Sequence, residues 1–450
     1  MIIPMKNLRI YIALVLGFLL ENQSTFAQTT PTYSLEQLSE IAIKSNKGLA
    51  IKQLQIEEKR IKVKEDEIKR LPVVNLSSTY QYNVNLANIT IPAGAIGVIP
   101  MNATTQVPLP NTDKNITVGS NNNYNIGLTA YMPLTQQAKI KMGIEVSKVE
   151  NQVSEKEKLK VSLQLKHGIE QLYYATLIAQ KQQEEAQAKL NLANNRLNDL
   201  ENAITAGKTL DLNKAGILAS IADEEQNILK FDFQIQNYKA DIAKLAGLPN
   251  EDFSLTSTLP VVNNLSSITD YKSGISTNPD VQIANLTKYK TELGFKAAKL
   301  SDRPDIGLVT GYAYQSGNPL APANNPFIGV NLKWNLQDLY ANKQIQKQRA
   351  LQMKQAEENI DYTQEQLLYE IEKAYRKAQQ SKSLINVAEK ALKYRQEELK
   401  LQEDKQLAGM NLKTDILATK AVLAKAEADV YAAKLAYLIA LSDLDALIGQ

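Results

Sequence analysis

Few side chains in this sequence are suited to covalent or acid–base chemistry. Cysteine is absent, which removes disulfides, thiolate metal sites, cysteine nucleophiles and lipid attachment at an N-terminal cysteine. The only histidine, His167, lies beside Lys166 in a helical stretch and reads as a packed or solvated residue. Glu170 with Tyr173, and Glu372 with Tyr375, place a carboxylate and a phenol three residues apart on one helix face. Packing geometry kept through a duplication explains that recurrence better than acid–base work. No nucleophile–base pair, metal cluster or glycine-rich phosphate loop is present, so no reaction, cofactor or metal is assigned. Asp415 is more specific. It follows Gly409 by six residues, and Thr414-Asp415 precede Ile416-Leu417 after a turn, the setting of a helix N-cap.

With chemistry so sparse, function has to come from the elements that carry these residues. The chain opens on Lys6 and Arg9, an apolar run from Ile10 to Leu20, and Ser24-Thr25-Phe26-Ala27. That order predicts a secretory signal peptide over residues 1–27, because an 11-residue apolar run is too short to span about 30 Å of hydrocarbon. No later apolar run approaches about 20 residues, so a membrane span would be made of β-strands. The 51 basic and 48 acidic residues are interspersed without like-charge blocks, which leaves no nucleic-acid footprint. Abundant Ala, Gln, Glu, Lys and Leu favour long helices.

An internal repeat organises the chain. Asn46 and Pro72 are 26 residues apart, as are Asn278 and Pro304, an offset of 232. Val74, Leu76, Tyr80 and Tyr82 correspond in that register to Ile306, Leu308, Tyr312 and Tyr314. Beyond them the offset becomes 202, pairing Gly127 with Gly329, Tyr173 with Tyr375, Gly207 with Gly409 and Gly247 with Gly449. The 30-residue difference falls in one insertion of the first copy, expected as a long outer loop over about 87–123. The expected layout is a first repeat over 28–248, a connector over 249–265 and a second repeat over 266–450.

Each copy holds two segments of period-2 alternation, about 73–133 and 305–335, which predict four strands in two hairpins. Val74 to Leu86, at about 3.3 Å per residue and a 45° tilt, projects to about 28 Å, one hydrocarbon core. Tyr80, Tyr82, Tyr312, Tyr314 and Trp334 recur on the apolar face and suit an interfacial aromatic girdle. Four strands cannot close a barrel, and open edges are not tolerated in lipid, so the chain must oligomerise. Two copies would fill their interior with side chains; three would give twelve strands and room for a pore. The rest reads as long helices, about 136–247 and 338–447, whose narrow apolar stripes suit coiled-coil packing. The helices reverse at Ala206-Gly207-Lys208 and Ala408-Gly409-Met410, where glycine permits a left-handed stop. The expected fold is mostly α with membrane β.

The Asn46 to Pro72 spacing, its duplicate at Asn278-Pro279 and Pro304, the Pro133-Leu134 exit into a long helix and the glycine-marked tips together resemble the TolC family of outer-membrane factors. The resemblance covers the whole chain after the signal peptide. It implies a homotrimer whose three sets of four strands form a 12-stranded barrel in the outer membrane of a Gram-negative bacterium, with a large helical periplasmic tunnel. It further implies a passive duct for efflux, or for type I secretion, whose tips at Gly207, Lys208, Gly409 and Met410 dock a periplasmic adaptor (membrane fusion) protein serving an inner-membrane transporter. In that family acidic residues near the last tip constrict the tunnel, which makes Asp415 a candidate periplasmic gate. Two further positions of that pattern are Asn411 and Ala418 here. A periplasmic coiled-coil adaptor or scaffold is the alternative.

Overall fold

The computed structural model describes residues 31–207, 214–249, 252–257, 264–319 and 321–449. The expected signal peptide and the tip residue Lys208 lie outside the described residues.

The described chain starts with β1 (Thr32–Tyr33), α1 (Leu35–Ser45) and α2 (Lys47–Ile68). Ser34 opens α1 with a capping box, its hydroxyl accepting from Gln37 N–H while the Gln37 side chain accepts from Ser34 N–H. Next come β2 (Val73–Tyr82), the insertion strands β3 (Ala87–Ile91), β4 (Gly97–Asn102), β5 (Thr105–Leu109) and β6 (Lys114–Val118), and β7 (Asn122–Pro133). Helices α3 (Gln137–Thr205) and α4 (Lys214–Ala246) complete the first copy.

The second copy repeats this order after β8 (Ser254–Leu255) and α5 (Ile268–Ser273): α6 (Pro279–Lys299), β9 (Asp305–Ser316), β10 (Asn324–Lys333), α7 (Asp338–Leu407) and α8 (Lys413–Leu447). The duplication is visible in the backbone. Asn46 Oδ1 accepts from Leu49 N–H as α2 begins, and Asn278 Oδ1 accepts from Asp280 N–H ahead of Pro279 at the start of α6. Gly207, Gly247, Gly409 and Gly449 all hold left-handed φ, at 66°, 67°, 70° and 79°, so the same residue ends the corresponding helix in both copies.

Three segments differ from the sequence expectation. The first strand stops at Tyr82 instead of running on to Leu86. Asn83 N–H still donates to Asn121 O at 2.7 Å and the Asn121 amide returns to Asn83 O at 2.8 Å, after which the asparagine-rich chain bends. The insertion is also no irregular loop. Its strands form two ribbons, β3 with β6 and β4 with β5, all antiparallel. Prolines and asparagines disguised this in the sequence, but Pro100 and Pro108 sit in two-stranded ribbons, where strand prolines are tolerated. Likewise the connector contains β8, which pairs in parallel with β1.

The chain divides into two compact units, Met1–Ala50 with Val161–Gly274 and Leu368–Gln450, and Ile51–Lys160 with Ile275–Leu367. The first has a dry core built on Leu38, Ile169, Leu177, Ile242, Phe253 and Leu435. The second holds the sheet, and its helices are laced by ion pairs: Lys52–Glu157 at 2.8 Å, Lys160–Asp280 at 2.6 Å and Lys288–Glu357 at 2.9 Å. Asp66 is its buried acid. It accepts from Ser147 at 2.5 Å and from Lys69 at 2.6 Å. Burial would raise its pKa, but those hydrogen bonds prevail and hold it below the ordinary carboxylate value.

Candidate channel-forming surfaces

The four long strands make one antiparallel sheet in the order β10-β9-β7-β2. Its register pairs Val74 with Ala130, Ala130 with Thr310 and Thr310 with Ile328. Every even-numbered residue therefore lies on one face, since side chains alternate along a strand. That face carries Leu76, Ile126, Leu128, Leu308, Val330 and Leu332, all exposed. The opposite face carries Asn75, Ser77, Thr79, Gln81, Asn125 and Asn331, with Tyr131 lying over Gly307. One face is thus mostly apolar, its few polar groups including Ser78, Thr310 and the tyrosine hydroxyls, and the other is mostly hydrogen-bonding.

The register distributes the aromatic residues along the apolar face. Tyr80, Tyr82, Tyr312 and Tyr314 lie in its half farther from the helices, the Tyr80 hydroxyl donating to Asn122 at 2.9 Å and that of Tyr312 to Asn324 at 2.6 Å. Trp334 follows β10 at the helix-proximal end, where its indole N–H donates to Asp302 O at 3.1 Å. At about 3.4 Å per residue the 12 residues of β7 and of β9 project to about 26 Å at a 45° tilt, close to the apolar band of an outer-membrane barrel. Both outer strands, β2 and β10, have one edge without a partner strand among the described residues. No helix among the described residues is long and apolar enough to cross a membrane.

At the second helical tip, Gly409 N–H donates to Gln406 O and Met410 N–H to Lys405 O, both at 2.9 Å, closing the end of α7. Asp415 occupies the first turn of α8, not the position before it. Its Oδ2 accepts from Leu412 N–H at 3.1 Å, a donor it shares with Asn411 Oδ1 at 2.9 Å. Beside it, Thr414 accepts from the Asn195 amide at 2.9 Å and donates to Asp199, which fixes this turn against α3. Leu407, Met410 and Leu412 stand out at 89%, 78% and 70% exposure.

His167 is a polar contact between α3 and α8. Its Nδ1 is 2.9 Å from Ser442 Oγ, its Nε2 is 3.0 Å from Asp443 Oδ1, and Lys377 holds the other Asp443 oxygen at 2.9 Å. Burial acts to raise the Asp443 pKa, but His167 and Lys377 together bring it below the ordinary value. Glu170 accepts from Ser442, while the Tyr173 hydroxyl donates to Thr256 O at 2.6 Å. Burial pushes that phenol up to about 12. Glu372 is held by Lys272 at 2.6 Å and Tyr375 packs edge-on to Tyr271. The duplicated acid–phenol pairs thus serve separate packing contacts. Among the described residues no cluster of His, Cys, Asp and Glu could hold a metal ion.

Residues 271–450 match the family model of the outer membrane efflux protein. The second copy is thus similar in sequence to outer membrane efflux proteins. Solved structures share a fold that spans both copies. The chain superimposes on the Campylobacter jejuni CmeC outer membrane channel with a TM-score of 0.72 at 15% identity, covering 92% of this chain and 85% of that one. For the outer membrane protein VceC of Vibrio cholerae the TM-score is 0.70 at 16% identity, with 92% and 96% covered. A membrane protein from Pseudomonas aeruginosa gives 0.71 at 16%, with 93% and 91% covered. No curated protein matches the chain in sequence.

Proposed function

We propose that this protein is the outer-membrane channel of a tripartite efflux or type I secretion system, a passive exit duct for cargo delivered by an inner-membrane transporter through a periplasmic adaptor. The observation that carries the reading is the sheet: one predominantly apolar face, one predominantly polar face and two edges without a partner strand among the described residues. In lipid such edges must be closed, and three copies supply twelve strands with a lumen wide enough for solutes. The apolar even-numbered face meets the acyl chains and the polar face lines the duct. Fractionation tests this: the protein is expected in the outer membrane as a trimer that falls to monomers on heating in detergent. Recovery as a soluble periplasmic monomer contradicts it.

The exposed Leu407, Met410 and Leu412, around Gly409, supply the apolar ground for adaptor docking, with Gly207 at the first tip in the equivalent place. Asp415 combines a capping hydrogen bond with an exposed position, and we assign it as an acidic residue of the periplasmic constriction. Asp415→Asn keeps an acceptor for Leu412 N–H and removes the charge. The variant is expected to lose block by divalent cations with its thermal stability unchanged. Unaltered block contradicts the gate assignment.

A further inference from the structure

The insertion between β2 and β7 is amphipathic in a way the duct alone does not explain. In the β3–β6 ribbon Ile89 stands opposite Ile116, and Ala87 opposite Val118, on one face. The other face is closed by its own hydrogen bonds, Thr117 to Asn88 at 2.8 Å and Thr90 to Asn115 at 2.5 Å. Ile89 and Ile116 remain 51% and 49% exposed, and beyond them Ile96, Ile99 and Met101 are exposed on or beside the β4–β5 ribbon. A two-stranded ribbon with an uncovered apolar face is marginal in water. Between residues 83 and 123 the only charged side chains are Asp113 and Lys114; Lys114 closes one end of this face opposite Ile91, and the rest of the face carries no charge for a lipid headgroup or a charged protein to meet.

We propose that this face is covered by the same ribbon of neighbouring copies, so that three ribbons pack together as a collar at the outer mouth of the duct. The proposal rests on the channel reading above. Its second support is continuity: the ribbon leaves the sheet from β2, an edge strand that a neighbouring copy must pair, and the Asn83–Asn121 pair carries the ladder outward from it. Its root is also tied to the second hairpin, Ser120 N–H donating to Gly317 O at 3.0 Å. Equal apolar faces brought to one height around a three-fold axis satisfy one another.

Because the sequence lacks cysteine, a single introduced thiol is unique. The test uses the full-length protein in outer-membrane vesicles, with Ile89→Cys or Ile116→Cys on the apolar face and Asn88→Cys on the polar face. Unheated gels first establish the trimer. Mild oxidation is then expected to join Ile89→Cys and Ile116→Cys chains into covalent dimers while Asn88→Cys chains stay separate. Maleimide should label the two apolar-face thiols at least about tenfold more slowly than Asn88→Cys. Intact trimers with no cross-link and equal labelling overturn the collar and leave the channel reading standing. Protection without cross-linking that disappears in detergent assigns the face to lipid and also overturns it. Absence of any trimer overturns the channel reading itself.

Discussion

Asp443 shows how a polar residue in this fold holds helices together rather than performing chemistry. Its carboxylate is gripped by His167 and Lys377 at 3.0 and 2.9 Å, and its pKa in the folded protein lies below the unfolded value. A depressed carboxylate pKa contributes stability that is present above the unfolded value of about 3.9 and is lost as pH falls through the folded one. Thermal unfolding should therefore show an acid limb, and Asp443→Asn should flatten it while lowering stability near neutrality by about 1–3 kcal/mol. An unchanged acid limb in that variant would remove Asp443 from the account. Contacts of this kind were not legible in the sequence. His167 and Asp443 are 276 residues apart, and nothing local to either marks the other. Asp415 was half legible: a turn glycine and a following helix announced a cap, but which donor the carboxylate reaches depends on the geometry of that turn.

At the scale of the element, the register of the repeat was the informative signal, because a residue needed for backbone geometry recurs wherever that geometry recurs. Gly247 and Gly409 illustrate two degrees of that need. Both hold left-handed φ, but a Cβ on Gly247 would lie 3.2 Å from Ser45 O, whereas one on Gly409 meets no described atom within 4 Å. Both alanine variants should lose about 1–2 kcal/mol for the left-handed backbone, and Gly247→Ala should melt lower than Gly409→Ala. Equal melting temperatures would contradict the contact. The strands were legible through their alternation, which the register gathers onto one face. Leu76→Lys on that face should reduce the trimer recovered from the outer membrane, at about 2–4 kcal/mol for a charge facing lipid. Ser77→Lys, one residue on and facing the other way, should assemble normally and change conductance. The insertion was misread because its prolines and asparagines resemble a loop, and cross-strand pairs such as Ile89 with Ile116 become visible only once the ribbon is folded.

As a whole, the single chain is incomplete. The sheet has an apolar face without a core behind it and two edges without partners, and neither is stable in water or, singly, in lipid. In the proposed channel, copies of the chain and a bilayer resolve both deficits together. Over 92% of its length the chain shares the fold of solved outer-membrane proteins, while the family model matches residues 271–450. The first copy has glycines, caps and strand alternation at the corresponding positions and carries the ribbon in addition. The central claim is a water-filled pore, and the most direct measurement is single-channel current from purified trimers in a planar bilayer. Discrete, long-lived conductance steps that shift with Ser77→Lys are predicted. Insertion into the bilayer without any ion conductance would contradict the account.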